Sequence, residues 1–197
     1  MSGIVRIVRL AITGPRQVRI RFPLIIEPGL TNWVCMTDPS AKISVLFVCM
    51  GNICRSPTAE AVFRKHLSDA GLEGIVHADS AGTHAYHIGN KPDRRAMAAA
   101  EGRGYSLEQI RARCVADMDF ESFDFILAMD NDNLEALYGA SGDEHRDKIR
   151  LFLDFAESVT VTEVPDPYYG GTLGFERVLD LVEAASAGLL EAVKKRL

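Results

Sequence analysis

Cys49 and Arg55 stand six positions apart, bracketing the run Met50-Gly51-Asn52-Ile53-Cys54 and followed by Ser56-Pro57. A thiol acts as a nucleophile through its thiolate, and a guanidinium is a permanent planar cation that grips two phosphate oxygens at once. A free thiol has a pKa of about 8.5, which a helix N-terminus and nearby cations lower to roughly 3.5–7.5. Ser56 can donate a hydrogen bond to the sulfur and favour its charged form. Gly51 and Asn52 tolerate the left-handed backbone that a tight turn demands. A loop of this kind aims successive N–H groups inward and makes an anion cradle. The run therefore predicts Cys49 as a nucleophile beneath a bound phosphate, with Arg55 and the loop amides as its clamp. A lone cysteine near a lone arginine would mean only a strand end and an ordinary surface cation; the whole run, correctly placed, means more.

Placement depends on the flanking elements. Residues 43–48 (Ile-Ser-Val-Leu-Phe-Val) form a short β-branched apolar run, the mark of a buried parallel strand. Ser56 to Phe63 opens a helix, with Pro57 suited to its first turn and Ser56 and Glu60 supplying polar groups near the free N–H groups. Further strands are expected at 75–79, ending in a turn at Gly82, and at 123–129 and 149–153. Helices are expected over 91–103, from a cap at Asp130 or Asn131, and over 173–195, where Phe175, Val178, Leu179, Leu181 and Val182 form one apolar face. Strands alternating with helices predict an open, mostly parallel α/β sheet covered on both faces. Ligands of such sheets sit beyond the strands' carboxyl ends, which is where the Cys49 loop falls.

The 197 residues carry 22 basic and 27 acidic side chains, with 47% hydrophobic and 25% charged content, so the chain is neither disordered nor collagen-like. No apolar stretch reaches the roughly 18 residues of a membrane span. Four cysteines make no secreted disulfide framework, and a reducing cytoplasm is the expected setting. The five histidines (66, 77, 84, 87, 145) lack metal-ligand spacing and are expected at the surface; no metal site is predicted. Charge is uneven: residues 1–42 hold six basic and two acidic side chains, while the other 155 hold 16 and 25. We divide the chain into a basic extension (1–42), expected to be poorly ordered or an artefact of an upstream start with Met36 as the true one, and a domain (43–197).

Residues 47–61 closely resemble the phosphate loop of the low-molecular-weight protein tyrosine phosphatases. Similarity continues through Asp79-Ser80-Ala81-Gly82-Thr83, Gly89-Asn90-Lys91-Pro92-Asp93 and Val164-Pro165-Asp166-Pro167-Tyr168-Tyr169-Gly170, covering about 44–197. The resemblance implies a three-layer, flavodoxin-like fold with four parallel strands and helices on both faces. It implies hydrolysis of protein phosphotyrosine through a phosphocysteine on Cys49, with Asp166 as general acid and then base, and without a cofactor. Asn52 and Ser80 match positions that brace the loop, and Tyr86, Tyr168 and Tyr169 match an aromatic rim. Cys54 matches a cysteine that forms a reversible disulfide with the nucleophile in many relatives. The implied partner is a phosphotyrosine protein, a tyrosine kinase among the candidates, and neither nucleic acid nor membrane; oligomeric state is not legible.

Two alternatives fit the residues less well. An arsenate reductase on this scaffold needs two further thiols after the loop, and only Cys114 follows. A silent phosphate-binding module has no need of both Cys49 and Asp166. Relatives acting on phosphoarginine carry threonine at the position of Ile53, so isoleucine points to phosphotyrosine.

Overall fold

A computed structural model describes residues 41–168 and 170–197. The basic extension, apart from Ala41 and Lys42, lies outside the described residues, as does Tyr169.

The β-branched run forms β1 (Ile43–Cys49), buried at every position. It lies inside a four-stranded sheet with β2 (Val76–Gly82), β3 (Phe125–Ala128) and β4 (Ile149–Leu151) in the order β2-β1-β3-β4, all parallel. Strand alternation sends the β1 side chains to two cores. Val45, Phe47 and Cys49 face the core shared with α1 (Arg55–Asp69), α2 (Arg94–Gly102) and α5 (Gly171–Lys194). Leu46 and Val48 face the core shared with α3 (Asp117–Ser122) and α4 (Asn131–Ala140). The result is the expected three-layer arrangement. Phe47 anchors the first core through edge-to-face contacts with Phe63 and Phe152, at centroid separations of 5.7 and 5.0 Å.

Several boundaries differ from those read in the sequence. β2 continues to Gly82 because Ser80, Ala81 and Gly82 pair in register with Phe47, Val48 and Cys49. Gly82 is therefore a strand residue, not a turn. A Cβ there would lie 2.8 Å from the Met50 carbonyl oxygen, so glycine is required by the close approach of the Cys49 loop. The second helix begins at Arg94, since the Asp93 carboxylate accepts the Arg95 N–H and caps it. The six-residue α3 was not anticipated; Asp119, in its first turn, accepts the Ala116 N–H and two donors of Arg113. The fourth strand is only three residues long, as Phe152–Phe155 winds into a 3₁₀ turn.

Candidate active site

The Cys49 loop joins the end of β1 to the start of α1, the expected strand–loop–helix context. Helix α1 begins at Arg55, which puts Pro57 in the third helical position, and no side chain caps its N-terminus. The expected capping by Ser56 and Glu60 does not occur. The Ser56 hydroxyl is drawn instead to Cys49, and Glu60 is buried against Ser80 and Arg64. An uncapped helix start favours an anion through its first-turn N–H groups.

Asn52 alone among the described non-glycine residues has a positive φ, 54°. Gly51 does not share it; its lack of a side chain matters because a Cβ would come within 2.9 Å of His87 Cδ2. Fully buried Asn52 accepts the Arg113 N–H through Oδ1 at 2.9 Å, which orients its amide. Its Nδ2 then donates to Ser56 Oγ at 2.9 Å and Ser80 Oγ at 2.8 Å. The Ser80 hydroxyl donates onward to Glu60. The single Ser56 proton is left facing Cys49 Sγ at 3.0 Å and the Ala81 carbonyl at 3.3 Å. Asn52, Ser56 and Ser80 thus lie behind the loop and brace it, rather than lining its cavity.

That cavity, of about 270 Å³, is lined by Cys49, Met50, Gly51, Ile53, Cys54, Arg55, Tyr86, His87, Asp166 and Tyr168. Every sequence-predicted loop residue is in it or directly behind it. Tyr86 and Tyr168 stand exposed at its mouth, with Tyr86 stacked on His84. Tyr169 lies outside the described residues.

Arg55 is nearly fully buried. Its Nη1 donates to the Asp130 carboxylate and, at 3.2 Å, to the Val164 carbonyl; its Nη2 donates to Asp166 Oδ2 at 3.1 Å. Burial works against its charge, but Cys49, Asp130 and Asp166 more than offset this and hold its pKa above the ordinary arginine value. Asp166 is exposed, and its Oδ1 accepts the Tyr168 N–H at 2.9 Å. Cys49 and Cys54 are both free thiols. Burial, and then Asp93 and Cys49, push the Cys54 thiol up to about 12, so it stays protonated.

Some contributors were missed. Asp130 was read only as a helix cap; one of its oxygens does cap α4 by accepting the Asn133 N–H, while the other holds Arg55. His87 was expected at the surface yet lines the cavity. Of the other four histidines only His84 is exposed; His66 is half-buried, and His77 and His145 lie half-buried against Phe123 and Phe120. An acid or histidine close to a motif carries no local signal of these contacts, which the sheet creates.

The sequence profile of the low molecular weight phosphotyrosine protein phosphatase family matches residues 44–197. The low molecular weight protein-tyrosine-phosphatase of Streptomyces coelicolor is 47% identical over 156 residues, covering 77% of this chain and 94% of that protein. The human low molecular weight phosphotyrosine protein phosphatase is 42% identical over 144 residues, covering 73% and 90%. Among solved structures, a protein tyrosine phosphatase from Entamoeba histolytica superposes with a TM-score of 0.76 at 43% identity, covering 78% of this chain and 97% of that one. The Bacillus subtilis protein YfkJ superposes with a TM-score of 0.74, also at 43% identity, covering 78% and 96%.

Proposed function

The chain belongs to the low molecular weight phosphotyrosine protein phosphatase family, and from that premise we propose a two-step hydrolysis of protein phosphotyrosine carried by Cys49, Arg55 and Asp166. The chain is an enzyme of this family, and phosphotyrosine proteins are its substrates. The observation that carries the mechanism is a buried guanidinium, Arg55, joined to Asp166 in the cavity that Cys49 lines.

In the first step the Cys49 thiolate forms an S–P bond while the P–O bond to tyrosine breaks. Asp166 delivers its proton to the departing phenolic oxygen, so that neutral tyrosine leaves. The substrate's phosphoryl oxygens take over the Arg55 donor that Asp166 holds in the free enzyme, which releases the carboxyl toward the leaving group. Loop amides and Arg55 stabilise the charge on the three non-bridging oxygens. In the second step water forms a new P–O bond, Asp166 takes its proton and the S–P bond returns its electrons to sulfur. Ser56, with its hydroxyl turned to Cys49, supports that charge before the attack and again as the S–P bond breaks.

A flat aryl phosphate suits the narrow cradle, and a phenol with pKa near 10 leaves more readily than an alkyl alcohol. Tyr86 and Tyr168 supply the faces between which the ring stacks. Ile53, which lines the cavity, favours phosphotyrosine over phosphoarginine. Cys54 serves as a redox partner: when a peroxide oxidises Cys49 to the sulfenic acid, the Cys54 sulfur attacks that sulfur, its own proton leaves with the displaced hydroxide as water, and the disulfide forms before irreversible oxidation. A cytoplasmic setting accords with this, since a reducing compartment keeps the Cys49 thiol free, and a tyrosine kinase is a fitting partner.

The test is turnover of a phosphotyrosine peptide and of aryl phosphates without added metal. Cys49→Ser abolishes it. Asp166→Ala lowers kcat/KM for phenyl phosphate by about 10²-fold while sparing a nitrophenyl ester, within the range general acids contribute. Undiminished activity in Cys49→Ser contradicts the mechanism.

A further inference from the structure

Arg95, outside the phosphate loop and absent from the cavity lining, links the Cys49 loop to the Asp166 loop. The Asp93 N–H donates to the Ile53 carbonyl at 2.7 Å, fastening the start of α2 to the phosphate loop. The Asp93 carboxylate accepts the Arg95 Nε and Nη2 at 3.0 and 2.8 Å, with the Arg95 backbone N–H at 2.8 Å. Arg95 Nη1 donates to the Tyr168 carbonyl at 2.9 Å, and the guanidinium lies over the Tyr168 and Phe175 rings, 5.2 and 4.9 Å from their centroids. The Tyr168 N–H holds Asp166 Oδ1.

Asp166 therefore sits between two anchors. Upstream, Val164 donates its N–H to the Met129 carbonyl at 2.7 Å and accepts from Arg55 through its own carbonyl. Downstream, Tyr168 is held by Arg95. The Arg55 part of the upstream anchor persists only while Arg55 keeps its place, and Arg55 is the group the incoming phosphate engages; the Val164–Met129 bond remains, two residues before Asp166. The Arg95 guanidinium does not line the cavity, so the downstream anchor holds the loop throughout the cycle. All three Arg95 guanidinium nitrogens bond to protein atoms, and the side chain does not line the cavity.

We propose that Arg95 is a positioning residue that keeps Asp166 within proton-transfer reach of the leaving oxygen by tying Tyr168 to the start of α2. The proposal rests on the assignment of Asp166 as general acid. Its test is the dependence of kcat/KM on leaving-group pKa across substituted phenyl phosphates, a quantity set where the phenol departs and unmoved by a uniform loss of folded enzyme. The variants are Arg95→Ala, Arg95→Lys, Asp166→Ala and the Arg95→Ala/Asp166→Ala pair, with inorganic phosphate inhibition as a separate reading of the cradle.

Arg95→Ala steepens the dependence and lowers kcat/KM for phenyl phosphate by about tenfold, while phosphate inhibition changes by less than about twofold. Arg95→Lys, too short of donors to hold Asp93 and Tyr168 together, follows it. The paired variant is no slower than Asp166→Ala alone, because both changes remove one function. An unchanged dependence in both Arg95 variants, beside a steepened one in Asp166→Ala, overturns the positioning role and leaves the acid assignment intact. An unchanged dependence in Asp166→Ala overturns the acid assignment and this proposal together. Further loss in the paired variant also overturns it, by showing that Arg95 acts elsewhere.

Discussion

Asn52 combines a left-handed backbone with three hydrogen bonds, two of them fully buried, and the direction of each follows from the others. Because the Arg113 N–H occupies Oδ1, the amide nitrogen must face both serines, and each serine must send its one proton elsewhere. Asn52→Ala adds backbone strain and leaves polar groups unpaired, so it destabilises the fold by about 3 kcal/mol and lowers kcat/KM at least about tenfold. Asn52→Gly restores the backbone freedom but not the bonds; it recovers part of the stability and little of the activity. Thermal unfolding and turnover on both variants separate the two contributions. Cys49, Arg55 and Ser56 were legible in the sequence because their chemistry is compressed into eight consecutive residues. Asp130 was not, since it meets Arg55 from 75 positions away and only sheet pairing brings the two together. Gly51 misled for a local reason: glycine permits a positive φ without requiring one, and here it is space beside His87 that demands it.

At the scale of elements, α1 and β2 hold a buried carboxyl between them. Glu60 is paired with Arg64 at 2.8 Å and accepts the Ser80 hydroxyl, yet burial outweighs both and raises its pKa to about 7. The unfolded value is near 4.3, so between the two the folded chain binds the extra proton and stability falls as pH rises. The contribution is fully present below about pH 4 and lost by about pH 7. Glu60→Gln removes this dependence: from about pH 5 to about pH 8 its unfolding free energy gains on that of the parent by as much as about 3 kcal/mol. Denaturant titrations at the two pH values check the sign; a parent that gains on the variant as pH rises contradicts the burial argument. Gly82 supplies a second test, because the Cβ of Gly82→Ala meets the Met50 carbonyl at the loop's base. That substitution costs about 1–3 kcal/mol and lowers turnover as well, measured by the same titrations and by assay. Periodicity located the main strands and helices because each buries a continuous face. It overextended the fourth strand, where apolar Phe152 and Leu153 continue the run but the backbone turns into 3₁₀, and it passed over α3, too short to show a helical period.

At the scale of the whole described chain, the order β2-β1-β3-β4 makes the end of β1 the point where the chain's path reverses, and the Cys49 loop occupies it. The Asp166 loop reaches the same place because Val164 bonds to Met129, just beyond β3. No helix among the described residues is long and apolar enough to cross a membrane. Among the described residues, both cores and the cavity are built from residues 43–193. We propose that a chain beginning at Met36 keeps the full activity and unfolding temperature of the longer one; a loss of either assigns the extension a part in the fold. The α/β class and the parallel sheet were legible because strand and helix periods alternate, whereas the strand order and the network behind the loop are long-range and belong to the assembled sheet. The claim on which the mechanism turns is covalent transfer to Cys49. In the proposed mechanism Asp166 also activates water, so Asp166→Ala mixed with a phosphotyrosine peptide and quenched within its first turnover should carry one phosphoryl group on the Cys49 peptide, read by mass spectrometry. Release of tyrosine peptide with Cys49 unmodified at every time point contradicts the account.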